Sequence, residues 1–497
     1  MKINKKADRF LIILNLTIFC ILNTAYAQVI PGTIDQRIDK LYDSTLLALY
    51  PTIKEARNSF GILDFVFRTS FNSTYSRGFN DGPVWKGKGL TTELHGGLYG
   101  SVGKLSFYVQ PVVFFSQNLN FPLADLNSNF NSNSYQFAHI DWVQRYGEGA
   151  KIFFHPSQSE VSFNVKNFSA AISSQNYSFG PSNFNPILLS RQAAGFPHVR
   201  LGTALFAKKK FKLHFIAGLL KESNYFDDNT ANNRRYINAL FVGYSPLRNL
   251  KIGIGRILYK QTRYFKPEDF LSTIYVFEDN EREGLSLGND TFDQLASISI
   301  DWNFPSVKFR CYAEFAKNDF TGGYLWTLIE PEHSRGYSIG FEKELEVNHK
   351  KIRLNYEHTN LSLNAAFLWR PTPPFYSHGV NRQGYTQNGQ LIGAGIGPGG
   401  NSDHFFLGIE KDKTESLNFL IQRIENNRDY FVTKVQPTNQ TQKSDLHDVE
   451  YSLSINWNKS MNKFLYIIEL AASNNFNRYF IKDRVNFYLM VGLNLDI

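Results

Sequence analysis

The stretch that decides the fold is Val485-Asn486-Phe487-Tyr488-Leu489-Met490-Val491-Gly492-Leu493-Asn494-Leu495-Asp496-Ile497. Side chains alternate faces along a β-strand, so Val485, Phe487, Leu489, Val491, Leu493, Leu495 and Ile497 make one apolar face. Asn486, Tyr488, Met490, Gly492, Asn494 and Asp496 make the other. Working back toward the N-terminus, the same unit recurs in pairs, with short turns and links of ten residues or many more in alternation. That beat predicts an all-β chain: a transmembrane antiparallel β-barrel of the outer-membrane type. Strands are expected at 62–71, 93–102, 104–116, 160–166, 168–177, 199–207, 211–220, 236–245, 250–260, 295–304, 307–317, 335–343, 351–360, 403–411, 416–424, 448–458, 463–471 and 485–497. The number is about eighteen, with an error of roughly two. An even count places both termini with the short turns, on the periplasmic side, and the long links outside the cell.

The bulk numbers agree. The 497 residues suit a large barrel better than a single soluble core. Mean hydropathy is only −0.30, and beyond the N-terminus no run approaches the roughly 20 apolar residues of a spanning helix. Aromatics reach 15%, with 44 Phe, 26 Tyr and 6 Trp, as expected where rings girdle a barrel at both membrane interfaces.

Residues 1–27 read as an export signal. Lys2, Lys5, Lys6 and Arg9 precede the apolar run Phe10 to Leu22, and Ala25-Tyr26-Ala27 supplies a small-x-small cleavage site. Phe19 before Cys20 is too large for a lipoprotein signal. Cleavage would lower the net charge from +9 to +6, a mild excess with no dense basic block for nucleic acid. One cysteine would remain, Cys311, so no intrachain disulfide is expected. Residues 28–60 form a second unit. Ile34, Ile38, Leu41 and Tyr42 have helical spacing, and Thr33 with Gln36 has capping-box form. A small periplasmic helical segment is expected there, followed by the barrel over 61–497.

The polar face of the strands carries both charges. Lys308, Arg310, Tyr312 and Glu314 alternate with Val307, Phe309, Cys311 and Ala313; Arg353, Asn355 and Glu357 alternate with Ile352, Leu354 and Tyr356; Glu450, Ser452, Ser454 and Asn456 alternate with Tyr451, Leu453, Ile455 and Trp457. An internal ion-pair network accounts for that lining, and so does a charged path for a polar substrate.

Function in such barrels sits in loops and lumen. Three long links stand out: 76–89, 178–198 and 361–402. They mix aromatic rings, amides and charges with turn-forming Gly and Pro, a mixture that suits sugars. Rings stack on the C–H faces of a pyranose while Asn, Asp and Arg bind its hydroxyls or acid groups. The candidate polysaccharide contacts are Arg77, Asn80, Asp81, Trp85, Arg370, Tyr376, His378 and Tyr385.

These links carry a resemblance. Arg77 to Gly89, Phe179 to His198, and Tyr376 to Gly400 with His378-Gly379, Gly384-Tyr385-Thr386, Gly389 and Gly397-Pro398 in order resemble the Wzi-type capsule-assembly family of outer-membrane proteins. The resemblance implies an eighteen-stranded barrel with a periplasmic helical portion, acting as a non-catalytic surface lectin that helps hold capsular polysaccharide or exopolysaccharide on the cell. The expected partners are that polysaccharide, outer-membrane lipid and, during biogenesis, the barrel-assembly machinery. Two positions depart from the pattern: Phe179 stands where Trp is expected before Gly-Pro, and the chain ends on Ile497 rather than an aromatic residue.

Other motifs fail on context. Gly393-Ala394-Gly395-Ile396-Gly397 runs into Pro398-Gly399-Gly400, so no helix N-terminus follows to hold phosphate. The acidic run 278–283 lacks the spacing of a calcium loop. The eleven His show no zinc spacing, so no metal and no cofactor is expected. Two further functions compete with the lectin: a porin-like channel for polar solutes or saccharides, and a hydrolase for which Glu314 and Glu357 are the only nameable carboxylate pair.

Overall fold

The computed structural model describes residues 60–124, 133–135, 137–203, 210–227, 233–275, 291–318, 328–364, 367, 371–412, 414–430 and 447–495. Eighteen strands form one antiparallel sheet. They run β1 Phe60–Asn72, β2 Gly89–Val102, β3 Leu105–Ser116, β4 Lys151–Val165, β5 Phe168–Ser173, β6 His198–Thr203, β7 Phe211–Lys221, β8 Arg234–Leu247, β9 Leu250–Gln261, β10 Asp293–Phe304, β11 Phe309–Asn318, β12 Arg335–Val347 and β13 Lys350–Asn360. A two-stranded hairpin, β14 Thr386–Gln387 with β15 Gln390–Leu391, interrupts them. The wall resumes with β16 Asn401–Glu410, β17 Glu415–Asn426, β18 Asp448–Met461, β19 Phe464–Arg478 and β20 Lys482–Leu495. β1 pairs with β2 and also with β20, Phe71 opposite Leu489, so the sheet closes on itself. Closure leaves no edge, so every strand finds its ladder partners inside the wall.

The alternation predicted for the last strand holds: Phe487 is 61% exposed and its neighbour Asn486 1%. The outward side chains form an apolar belt in which Phe65, Phe67, Ile254, Ile298, Leu453 and Val491 are all exposed. The inward faces carry the ion pairs: Arg310–Asp301 at 2.8 Å, Arg200–Glu160 at 2.6 Å and His95–Glu93 at 2.7 Å. Cys311 pairs across from Trp302 and Phe341 on the outward face.

Four expectations need correction. β4 starts at 151 rather than 160. A bulge at Pro156-Ser157, where Ser157 has φ +47° and the register with β3 slips, switches the outward set from Ile152 and Phe154 to Val161 and Phe163. Alternation read across a bulge cancels, because the phase flips by one residue. β5 stops at Ser173, and Tyr177 belongs to the loop that follows. Lys308 does not line the interior. Pro305 ends β10 in a 3-10 turn, Lys308 takes φ +47°, and its ammonium meets Glu344 at 2.8 Å at the turn end. Finally, the link between β19 and β20 is tight, not long, turning through Tyr479 and Phe480 at positive φ. The export signal, the helical segment up to residue 59, the acidic run 278–283, Arg370 and Ile497 lie outside the described residues.

The long links fold inward at the loop end. Tyr177, Phe179, Ile187, Leu188 and Phe196 pack with Tyr376, Tyr385, Leu391 and Ile396 against Ile216, Ile237, Phe241, Ile257 and Leu295 of the inner wall. Phe179 stacks on Phe241 with centroids 3.6 Å apart. This is the largest buried apolar cluster among the described residues, so the barrel mouth has a packed core of its own.

Candidate functional site

The first loop is seated by the seam between β1 and β20. Asn72 at the end of β1 donates from Nδ2 to the carbonyls of Arg77, Lys86 and Gly87 at 3.1, 3.2 and 3.3 Å. Asn486 on β20 donates to Asn72 Oδ1 at 3.0 Å and accepts from the Thr74 N–H at 2.8 Å. One amide pair thus fixes both entry and exit of the loop.

Arg77 then reaches β17 and β18. Its Nε donates to Glu450 at 2.8 Å, and its Nη2 to Ser452 at 2.9 Å and Gln422 at 3.1 Å. Burial opposes the guanidinium charge, but the Glu450 carboxylate holds its pKa above the ordinary value. Asp81 accepts from the Phe79 N–H at 2.7 Å and pairs with Lys86 at 2.8 Å. Burial likewise opposes the Lys86 charge, and Asp81 holds that pKa high. Asn80, in the left-handed region at φ +57°, donates from Nδ2 to the Phe184 carbonyl at 2.9 Å and from N–H to Gln192 at 2.7 Å. Left-handed backbone at a non-glycine position favours Asn, and here it turns the first loop onto the second. Trp85 donates to Asn118 at 3.2 Å and meets the Tyr146 ring edge-on at 4.9 Å.

Between these loops lies a cavity of about 190 Å³. Its rings come from Tyr75, Phe79, Trp85, Tyr135, Trp142 and Tyr479, and its polar groups from Arg77, Asp81, Lys86, Gln422, Asp448 and Glu450, with Gln144 and Gln192 on the loop side. Arg478 lies over the Tyr75 ring at 3.7 Å and the Tyr479 ring at 4.4 Å, a doubly stacked cation. Gln422 keeps an Nε2 donor without an acceptor among the described residues. Gly397, at φ +73°, lets the backbone lie against Trp142, where a Cβ would stand 2.7 Å from the ring. Chemically, the cavity offers aromatic faces beside cations and carboxylates that are already paired, which suits stacking and hydrogen bonding.

Of the residues expected from the sequence, the fold brings Arg77, Asp81 and Trp85 to this cavity, and Asn80 supports it from behind. Tyr376 and Tyr385 are buried completely, their hydroxyls donating to the carbonyls of Ile187 and Leu188 at 2.7 Å each. They join the third loop to the second. His378 is half-buried, outside the cavity, and accepts the N–H groups of Val380 and Asn381 at 3.2 Å. Sequence reasoning missed Trp142, Tyr135, Tyr479 and Arg478. Trp142 follows Ile140-Asp141 in a link without alternation, and only the tertiary contact distinguishes it from any loop Trp. Glu314 and Glu357 sit in the wall beneath the second loop. Glu357 accepts the N–H groups of Asn183, Phe184 and Asn185, and Glu314 that of Ile187. Both carboxylates hold the loop backbone.

The family model for capsule assembly protein Wzi matches residues 74–477. No curated protein matches the chain. Among solved structures, the chain is similar to Wzi of Escherichia coli, described as an outer-membrane protein involved in group 1 capsule assembly and a carbohydrate-binding β-barrel. That similarity is 11% identity with a TM-score of 0.55, over 87% of this chain and 84% of that one. OccAB2 of Acinetobacter baumannii gives 9% identity and a TM-score of 0.45 over 88% and 98%. OccK8 of Pseudomonas aeruginosa gives 12% and 0.44 over 88% and 98%. At 11% identity the likeness to Wzi speaks to the fold.

Proposed function

The chain belongs to the Wzi capsule-assembly family, and from that premise we propose that it is a non-catalytic surface lectin of the outer membrane. It binds capsular polysaccharide or exopolysaccharide and helps retain or assemble it at the cell surface. The single observation that carries the reading is the mouth cavity. A ring-lined space of about 190 Å³ with paired charges fits a sugar residue of a longer chain. In this reading an export signal directs the chain across the inner membrane, the barrel-assembly machinery inserts it, both termini face the periplasm, and the loop end faces outward. Arg77, Asp81 and Trp85 contact the polysaccharide together with Trp142 and Tyr479. Asn80 acts through loop order, as do Tyr376 and Tyr385. Arg370 and His378 stay as outer contacts to be tested.

A porin-like channel has the packed loops against it, because a conducting path would need the second and third loops to leave the mouth. The decisive experiment is capsule retention in a deletion strain, complemented by wild type, Trp142→Ala or Arg77→Ala. Loss of cell-bound polysaccharide on deletion, restored by wild type and not by the variants, is the expected outcome. A deletion strain with its full capsule overturns the proposal.

A further inference from the structure

The segment after β9 does not fold into the mouth. Residues 262–275 form two short 3-10 turns and a single helical turn. They lie along the outer wall. The strand faces decide the side: Ile237, Phe241, Ile257 and Leu295 pack in the interior with the loops, so Tyr236, Asn238, Arg256, Lys260 and Gln294 point outward. This strap covers those outward polar groups. Asn238 donates to the Asp269 carbonyl at 2.8 Å and to Ser272 Oγ at 2.7 Å. Lys260 pairs with Asp269 at 2.5 Å, and Arg256 donates to Gln294 at 2.9 Å and to the Thr273 carbonyl at 3.4 Å. Tyr236 donates to the Phe270 carbonyl at 3.1 Å.

The strap's own outer side is apolar and cationic. Phe265, Phe270, Leu271 and Ile274 are exposed, with Tyr264 beside them under the Arg263 guanidinium at 4.7 Å. Arg263 and Lys266 are exposed, against one exposed acid on the strap, Glu268. At the same height the belt continues sideways through the exposed Leu219 and Val199, and below the strap through Ile254 and Ile298. An apolar surface continuous with a lipid-facing belt, bordered by two cations and carrying an aromatic ring at its edge, has the chemistry of a bilayer interface.

We propose that the strap 262–274 is a lipid-docking element, seating Phe265, Phe270, Leu271 and Ile274 among acyl chains while Arg263 and Lys266 bind the phosphate of an anionic lipid headgroup. The inference rests on the outer-membrane reading of the barrel. It also gives the outward Asn238, Arg256 and Lys260 a reason to be where a bare barrel would place apolar side chains: they fasten the strap.

The test is collision accessibility of a nitroxide label, in a background with Cys20→Ala and Cys311→Ala. Ile274→Cys and, as reference on β20, Val491→Cys are labelled in full-length protein reconstituted in phosphatidylethanolamine/phosphatidylglycerol vesicles. Both labels are expected to collide with oxygen and to be shielded from a water-soluble nickel chelate, Ile274→Cys at shallower depth. Replacing phosphatidylglycerol by phosphatidylcholine is expected to raise nickel access at Ile274→Cys at least about twofold, and R263Q/K266Q to abolish that difference. Nickel access at Ile274→Cys with Val491→Cys shielded overturns the strap proposal and leaves the barrel reading intact; access at both overturns the barrel reading. Shielding of Ile274→Cys from both reagents means that protein covers the strap, and overturns the proposal as well. No difference between the two vesicle types overturns the headgroup contact.

Discussion

Truncating Glu357 to Ala should release the second loop from the barrel wall. Four donors converge on that carboxylate: the N–H groups of Asn183 at 2.6 Å, Asn185 at 2.8 Å and Phe184 at 3.2 Å, and the Tyr312 hydroxyl at 2.8 Å. A buried donor left without an acceptor costs roughly 1–3 kcal/mol. Three of these donors belong to the loop, the Tyr312 hydroxyl to the wall, and water admitted to the vacated space recovers part of the loss, so about 3 kcal/mol for the loop is a lower-end figure. The ladders β12–β13 and β13–β16 do not use the carboxylate, so the loss is local and the barrel remains closed. At about 1.4 kcal/mol per tenfold, the opening equilibrium of residues 183–185 rises about a hundredfold. Amide hydrogen exchange followed by mass spectrometry in detergent micelles reads this directly: the peptide spanning 181–189 exchanges faster by about two powers of ten, as roughly this cost implies, while wall peptides do not change. Glu357→Gln, which keeps one acceptor and turns the other into a donor, falls between. Because Phe184 and Gln192 accept from Asn80, polysaccharide binding weakens in parallel with exchange. If Glu357→Ala leaves the 181–189 amides at their wild-type rate with the barrel intact, the carboxylate does not hold the loop and the reasoning is wrong.

Three further outcomes are expected. Tyr376→Phe removes a donor to Ile187 and the acceptor of the Ala394 N–H at 2.8 Å, costing about 1–2 kcal/mol and lowering the thermal midpoint without opening the barrel. Arg77→Ala leaves Glu450 buried with its cation gone, and binding to purified exopolysaccharide should fall at least about tenfold. Arg77→Lys should recover little of it, since one ammonium cannot reproduce the fork to Glu450, Ser452 and Gln422; calorimetric titration separates the two. Asp429, whose Oδ1 accepts the Leu363 N–H at 2.7 Å, has its pKa pushed up to about 7 by burial. A carboxyl with a raised folded pKa stabilises below its unfolded value, near 4, and that stability is lost as pH rises through about 7. Thermal midpoints of wild type should therefore fall between pH 5 and 8 relative to Asp429→Asn, and parallel profiles would contradict this.

Much of the wall was legible because a strand between lipid and lumen carries a period of two that any reader of side chains can follow. β20 and β18 show it without interruption. β4 hid its first half because the bulge at Ser157 reversed the phase, and the β19–β20 turn hid because Asn477 to Phe480 has no alternation. In the site, Arg77, Asp81 and Trp85 were legible as a cluster close in sequence. Tyr376 and Tyr385 were legible as important but not for their role. An aromatic residue in a loop looks alike whether it faces a sugar or fills a core, and burial alone distinguishes the two. The outward polar groups Asn238 and Lys260 gave no hint of a strap, since their partners Asp269 and Ser272 lie in a link with no periodicity.

The sequence by itself pointed to the barrel: about eighteen amphipathic strands, joined by short turns and mostly longer links in alternation, follow from local alternation and turn length, which are properties of neighbouring residues, while closure is the pairing of β1 with β20. Only the tertiary structure decided where the long loops go. Their packing into the mouth depends on contacts between residues far apart in the chain, Glu357 with Asn183 and Arg77 with Glu450 among them. No local pattern encodes such pairings, because they form only once the closed wall has brought the strands that carry them around a common interior.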